Sequence, residues 1–390
     1  MNSFVYDIPT KVYFGPGQLH HLGPELAAYG KRVLLCYGGG SIKKSGLYDR
    51  VAAQVKEAGL ELFELSGIDP NPRVSSVNSG AAICKKEHID VVLAVGGGSV
   101  IDCAKFVAAG AYYDGDAWDF LTGKAKVGKC LPLISVLTLA ATGSEMDGTS
   151  VISNPDTQEK LVNADYAMRP RVSFLDPTET YSVSRYQTAC GSADIFSHIL
   201  ESYFVPDSQR MYMLERVKEG LMKTVIEYAP VALEHPDDYE ARANLMWASS
   251  HAINGTIALG KECPWSVHTM EHQLSACYDI THGVGLAILT PAWMRYVLSE
   301  ATAHKFAEYG VNVWGIDAAL GQMEIAHRAI DATQRFFVEA LHLPATLREV
   351  GIGPERFDEM AQRAATPALQ NEAYVGLCAA DVKKIYEMCL

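Results

Sequence analysis

Along the first half of the chain, short apolar runs alternate with segments whose apolar residues recur at helical spacing. Val33-Leu34-Leu35-Cys36-Tyr37 reads as a buried strand that runs into Gly38-Gly39-Gly40. Leu47, Val51, Val55 and Ala58 then share one helix face, and Gly59 is a plausible stop. Leu60 to Leu65 is a second strand, and Val77, Ala81 and Cys84 mark another helix. Val91 to Val95 is a third strand, ending in Gly96-Gly97-Gly98 before an apolar helix from Val100 to Ala109. Leu131 to Leu139 and Val172 to Leu175 are further strands. Near-continuous apolar strands alternating with helices predict a mostly parallel sheet covered on both faces.

From about Tyr181 the texture changes. Helical patterns follow one another over 185–204, 211–229, 238–254, 266–276, 283–298, 300–310, 318–341 and 354–365. The sequence therefore predicts an α/β domain over 1–180 and an all-helical domain over 181–390. The active site is expected in the cleft between them, since ligands of such proteins favour the C-terminal edge of the sheet. No repeat, low-complexity tract or long linker marks the boundary, so it is a compositional one.

A length of 390 residues supports two or three domains at about 150 residues each. Hydrophobic residues at 48% and charged residues at 20% exclude a disordered chain. A net charge of −13 argues against a nucleic-acid or anionic-membrane partner, which needs clustered Lys and Arg. The apolar stretches, such as Cys130 to Ser144, fall short of the roughly 20 residues of a membrane span. The start, MNSFVYDIPTK, carries no export signal, so a cytoplasmic protein is expected. Nine cysteines, none in a C-x-x-C, suit a reducing compartment and point any metal toward nitrogen and oxygen ligands.

Two strands end in the same device, Tyr37-Gly38-Gly39-Gly40-Ser41 and Val95-Gly96-Gly97-Gly98-Ser99. Glycines let backbone approach a ligand, and a following helix start offers N–H groups to a diphosphate. Neither segment is a G-x-G-x-x-G, and two tight turns without a ligand would look the same. A third segment, Thr138 to Glu145, is rich in hydroxyls and also follows a strand; a helix N-cap accounts for Ser144 nearly as well.

Of twelve histidines, four fall between 251 and 282. His268 and His272 share a helix face, and His282 opens the next apolar run. Upstream, Asp194 and His198 are four apart, with Glu201 on the same side. Three His nitrogens and one carboxylate form a divalent transition-metal set with room for a substrate oxygen. An ordinary amphipathic helix gives the same pattern, with Asp194, Ser197, His198, Glu201 and Ser202 as a solvated face. The His-Thr-Met-Glu-His run also lacks the H-E-x-x-H order of a zinc peptidase.

These residues, in this order, resemble the iron-containing (group III) alcohol dehydrogenase family over nearly the whole chain. The resemblance rests on GGGSVIDCAK (96–105), TLAATGSE (138–145), FLDPTETYS (174–182), CGSADIFSHILESYF (190–204) and SVHTMEHQLSACYDITHG (266–283). The YGGGS turn looks closest to the butanol dehydrogenase-like, NADPH-using aldehyde reductase branch. The resemblance implies a dehydroquinate synthase-like fold, an α/β nucleotide-binding domain followed by an all-helical metal-binding domain. It implies a divalent metal, Fe2+, on Asp194, His198, His268 and His282, with His272 beside the nicotinamide as a proton-relay residue; the affinity order of a three-nitrogen, one-oxygen site favours Zn2+ instead, so both stay open. It places the cofactor on Gly96, Gly97, Gly98, Ser99, Asp102, Thr138, Thr142 and Lys160, and brings Thr178 to Ser182 toward it. Gly38, Gly39 and Ser41 belong to the same set. NAD-preferring relatives often carry Asp at position 39; a glycine removes its repulsion of a 2′-phosphate, so NADP(H) is expected, with Ser41 and Lys43 or Lys44 as donors.

The implied activity is reversible hydride transfer between NADP(H) and a small aldehyde or primary alcohol, in a homodimer. Two other readings stay open. One is an NAD- and metal-dependent lyase of the dehydroquinate synthase type, the other a metal-dependent hydrolase that uses no nucleotide.

Overall fold

Six strands build one parallel sheet in the computed structural model, which describes residues 2–390. They are β1 (Lys11–Phe14), β2 (Arg32–Cys36), β3 (Glu61–Leu65), β4 (Val91–Gly96), β5 (Leu133–Leu137) and β8 (Val172–Leu175), in the spatial order β1-β8-β5-β4-β2-β3. Every pairing is parallel. Between β5 and β8, an antiparallel hairpin is formed by β6 (Thr149–Asn154) and β7 (Glu159–Ala164).

Burial on both faces explains the near-continuous apolar strands. Successive residues of a strand point to opposite faces. Val33, Leu35, Val91, Leu93 and Val95 pack in one core with helix Leu47–Glu57. Leu34, Cys36, Val92 and Ala94 pack in a second, with helices Val74–Lys86 and Gly98–Gly110. Strand β2 leads outward to β3 at the sheet edge, whereas β4 leads the other way to β5. The strand order thus reverses between neighbours β2 and β4, and both glycine turns sit at their C-terminal ends. Such a switch point is where open α/β sheets bind ligands.

The chain divides into a sheet unit, Asp7–Ser184 with Pro236–Asn254, and a helical unit, Arg185–His235 with Gly255–Leu390 and the N-terminal segment ending at Tyr6. This differs in two places from the predicted split at 180/181. Helix Tyr239–Ile253 belongs with the sheet unit, where Met246 joins the core and Ser250 donates to Glu145. The N-terminal segment joins the helical unit, where the Asn2 N–H donates to the Gly260 carbonyl at 2.9 Å. A run of helices in sequence does not reveal which core each helix covers.

Two sheet elements escaped the pattern. β1 is an edge strand with exposed and half-buried positions only, and the hairpin carries polar residues on a half-exposed ribbon. After Leu175 no strand occurs among the described residues, as the helical texture predicts. The long pattern over 318–341 resolves into helix Gln322–Arg335 and a π-helical turn, Phe336–Ala340. Two short helices, Pro367–Asn371 and Ala379–Met388, follow the last predicted one. Among the described residues, no helix is long and apolar enough to cross a membrane.

Candidate metal centre and cofactor turns

Helix Arg185–Tyr203 is buried along nearly its whole length, including the polar stripe that a solvated face would also explain. Asp194, Ser197, His198, Glu201 and Ser202 are each 5% exposed or less. A buried polar stripe needs partners. Those partners come from helices Ser266–Tyr278 and His282–Val297. The latter crosses closely enough that a Cβ at Gly283 would lie 2.1 Å from the Cys190 carbonyl oxygen. Glycine there lets His282, one residue earlier, reach the stripe.

Three imidazoles converge on one carboxylate oxygen. The Nε2 atoms of His198, His268 and His282 lie 3.6, 3.5 and 3.6 Å from Asp194 Oδ1. Asp194 Oδ1 and His268 Nε2 are buried with no hydrogen-bond partner. Four donors around a tetrahedral ion, with bonds of about 2.0–2.2 Å, stand about 3.3–3.6 Å apart. The three separations from Asp194 Oδ1 are in that range; the donor atoms of Asp194, His268 and His282 all lie within 4.8 Å of one another, and His198 joins them through Asp194 Oδ1. A three-nitrogen, one-oxygen set suits Fe(II) or Zn(II). Exposure rises from 6% for the His198 side chain to 22% for that of His282, so the set is more open on the His282 side.

The electrostatics follow from crowding. Burial favours the neutral acid of Asp194, yet His198, His268 and His282 around it hold its pKa well below the usual range. Burial pushes His198 down to about 3. Burial also opposes charge on His268, but Glu201 and Asp194 outweigh it and raise its pKa to about 10.

His272 sits beside this set, its ring 5.7 Å from that of His282 and 6.3 Å from that of His268. Donor atoms of Glu271, His272 and His282 also gather within 4.8 Å of one another. Glu271 is already committed there, accepting from His282 Nδ1 with one oxygen and from the Ser275 hydroxyl with the other. The unpaired Asp194 point is therefore the better metal position.

In the sheet unit, the structure brings the 96–99 turn and the 138–142 segment together. The Thr138 N–H donates to the Gly96 carbonyl at 3.0 Å. A Cβ on Gly97 would lie 3.3 Å from Leu139 Cβ, and one on Gly98 would run into Thr142 at 2.2 Å. Gly97, Gly98 and Ser99 open helix Gly98–Gly110, whose first N–H groups have no intrahelical partner. Gly38, Gly39 and Ser41 follow the neighbouring strand, and a Cβ on Gly39 would meet nothing within 4 Å. Lys160 is buried on β7, paired in register with Ser153.

Asp102, expected at the cofactor, has partners within the protein. It is buried, with one carboxylate oxygen accepting from Ser144 Oγ at 2.5 Å and the other from the Val151 N–H at 2.9 Å. Each oxygen thus has one partner inside the protein. Ser144 likewise caps no helix; it also accepts from Lys105 Nζ at 2.8 Å. Lys105, wholly buried, further donates to Asp147 and the Thr149 carbonyl. The Asp176 side chain accepts from the Thr178 N–H and hydroxyl at 3.0 and 2.7 Å, which organises the 174–182 turn itself.

Residues 9–177 match the family described as iron-containing alcohol dehydrogenase, and residues 188–390 match its C-terminal domain. The chain belongs to the iron-containing alcohol dehydrogenase family. It is 55% identical, over 93% of both chains, to NADH-dependent butanol dehydrogenase A of Clostridium acetobutylicum. It is 37% identical, over 90% of both, to the NADPH-dependent aldehyde reductase YqhD of Escherichia coli. The crystal structure of NADH-dependent butanol dehydrogenase A from Thermotoga maritima superposes with a TM-score of 0.94, at 40% identity, covering 100% of this chain and 99% of that one. This iron-containing alcohol dehydrogenase is therefore an oxidoreductase of alcohols and aldehydes that uses a nicotinamide cofactor and iron. Family membership decides among the three readings of the sequence in favour of the oxidoreductase.

Sequence reasoning noted Glu201 and Glu271 without giving them a task, and both are buried against the metal set. Their signal is a spacing used twice, His198 to Glu201 and His268 to Glu271, which puts each glutamate one turn from a histidine.

Proposed function

We propose that this dehydrogenase interconverts small aldehydes and primary alcohols, butanal and butanol among them, with NADP(H) as the preferred cofactor. The observation that carries the proposal is the convergence of three imidazole Nε2 atoms on the unpaired, buried Asp194 Oδ1. When bound, a divalent metal polarises a carbonyl oxygen and a nicotinamide supplies or accepts the hydride. Asp194, His198, His268 and His282 would hold the metal, Fe(II) in the first instance. His272, next to the more open side, would pass a proton between solvent and the substrate oxygen. Backbone N–H groups at 97–99 would receive the diphosphate, which lets so acidic a protein bind an anionic cofactor without a basic surface. Nine free cysteines support a reducing, cytoplasmic setting.

The relatives' names divide between NADH and NADPH. The NADP(H) preference rests on Gly39, where no carboxylate repels a 2′-phosphate, and on Lys43 and Lys44 ending the helix that begins at Ser41. Anaerobic protein supplied with Fe(II) or Zn(II) should oxidise NADPH in the presence of butanal, with a higher kcat/KM than for NADH. Absence of turnover with either metal would overturn the activity; a preference for NADH would overturn the cofactor assignment alone.

A further inference from the structure

The glutamates of the two His-x-x-Glu steps do not serve the histidines of their own steps. Glu201 takes the Nδ1–H of His268, on the next helix of the site. Glu271, on that helix, takes the Nδ1–H of His282, on the one after. A carboxylate only accepts, so each of these Nδ1 atoms is the donor, and once the ring is in the neutral form that a metal requires, the lone pair is on Nε2. Both Nε2 atoms face Asp194 Oδ1.

We propose that Glu201 and Glu271 are positioning residues that lock His268 and His282 in the tautomer and ring orientation that binds metal. The proposal rests on reading the four convergent residues as a metal site. A neutral imidazole without such a partner divides between two tautomers, only one of which offers Nε2, and a carboxylate on Nδ1 also makes the ligand more basic. His198 is the contrast. Its Nδ1 is buried with no hydrogen-bond partner, and its ring lies edge-on to Trp265. Its orientation comes from packing alone.

Each glutamate is itself held. The second oxygen of Glu201 accepts from the Val267 N–H at 2.7 Å, which ties helix Arg185–Tyr203 to the start of helix Ser266–Tyr278. Glu271 accepts from Ser275 and lies against Gly285, where a Cβ would come within 2.7 Å of Glu271 Cγ and 3.0 Å of its Oε1. Glycine at 285 therefore makes the slot that aims Glu271 at His282. Adding a methyl there should displace the carboxylate without altering any charge.

The test compares metal affinity of the full chain and four variants by chelator competition, using Zn(II), and reads the ligand field with Co(II). Wild type should take up one equivalent. Glu201→Gln and Glu271→Gln should keep that stoichiometry and lose about 10- to 100-fold in affinity. Gly285→Ala should lose affinity in the same direction and shift the Co(II) absorption bands as Glu271→Gln does. Thr290→Ala removes a buried hydroxyl on the same helix, which bonds only the Leu286 carbonyl at 2.7 Å, and should change neither. Should Glu201→Gln fail to fold, Glu271→Gln and Gly285→Ala decide the matter. Glutamate variants with wild-type affinity and spectrum would overturn the positioning role. A wild type that binds no metal would instead overturn the metal site beneath it.

Discussion

In the helical unit, three imidazoles from three helices approach one buried carboxylate oxygen, Asp194 Oδ1, and that oxygen and His268 Nε2 have no partner there. Behind the glycine turns of the sheet unit, two buried charges are taken up by their neighbours: Lys105 by Ser144, Asp147 and a carbonyl, Asp102 by Ser144 and a backbone N–H. The glycine turns there offer backbone instead. The contrast separates two ways of building a binding site. Unsatisfied buried atoms are costly, so a cluster of them marks where a ligand belongs. A satisfied network holds a shape, and the ligand then meets the backbone which that network positions.

Breaking the first kind of site should cost most. Asp194→Ala should abolish metal uptake and lower kcat/KM by at least about a thousandfold, roughly 4 kcal/mol of barrier. Protein-bound metal and steady-state rates, measured on the same sample, check this. Gly98→Ala strikes the second kind. Its methyl would meet Thr142 Oγ1 at 2.2 Å and Thr142 Cβ at 2.9 Å. Overpacking of this sort costs about 1–3 kcal/mol. Denaturant unfolding should show that loss and the cofactor KM should rise, while metal content stays intact. Together the two variants should separate metal loss from cofactor loss.

Gly39→Asp sharpens the comparison further, because it adds a charge where no atom stands in the way. The ratio of kcat/KM for NADPH to that for NADH should fall about tenfold or more, about 1.4 kcal/mol, with little change in melting temperature. A pH-dependent effect concerns Glu145. Burial pushes its carboxyl from 4.5 up to about 7, so the folded protein holds a proton that the unfolded chain releases. That contribution is fully present below about pH 4.5 and is lost as pH rises through about 7. Glu145→Gln should therefore gain melting temperature over wild type at pH 8 and little at pH 4.5, by thermal denaturation at both.

How much was legible in the sequence follows the same division. Strands such as Val91 to Val95 announced themselves because both faces of the sheet are covered, and Val172–Leu175 was bounded to the residue. β1 and the hairpin were hidden because an edge strand and a half-exposed ribbon need few apolar residues. The pattern of the four convergent residues left a metal set and a solvated face both open, and the ligand role came from the family resemblance. The Asp194 helix has the periodicity of a surface helix, and only packing shows that its polar stripe faces inward. Asp102 shows a related point. It lies in a glycine-rich motif, and the partners of its carboxylate are the distant Ser144 and Val151, out of reach of any local pattern. Glu201 and Glu271 were visible as spacings, but each acts on a histidine of another helix, which no local pattern encodes.

The function of the helical unit turns on where the metal binds. Crystals grown anaerobically with Fe(II) and measured at the iron absorption edge locate it directly. One anomalous peak is expected within bonding distance of Asp194 Oδ1 and the Nε2 atoms of His198, His268 and His282. A peak among Glu271, His272 and His282 instead, or density away from Asp194, would contradict that placement.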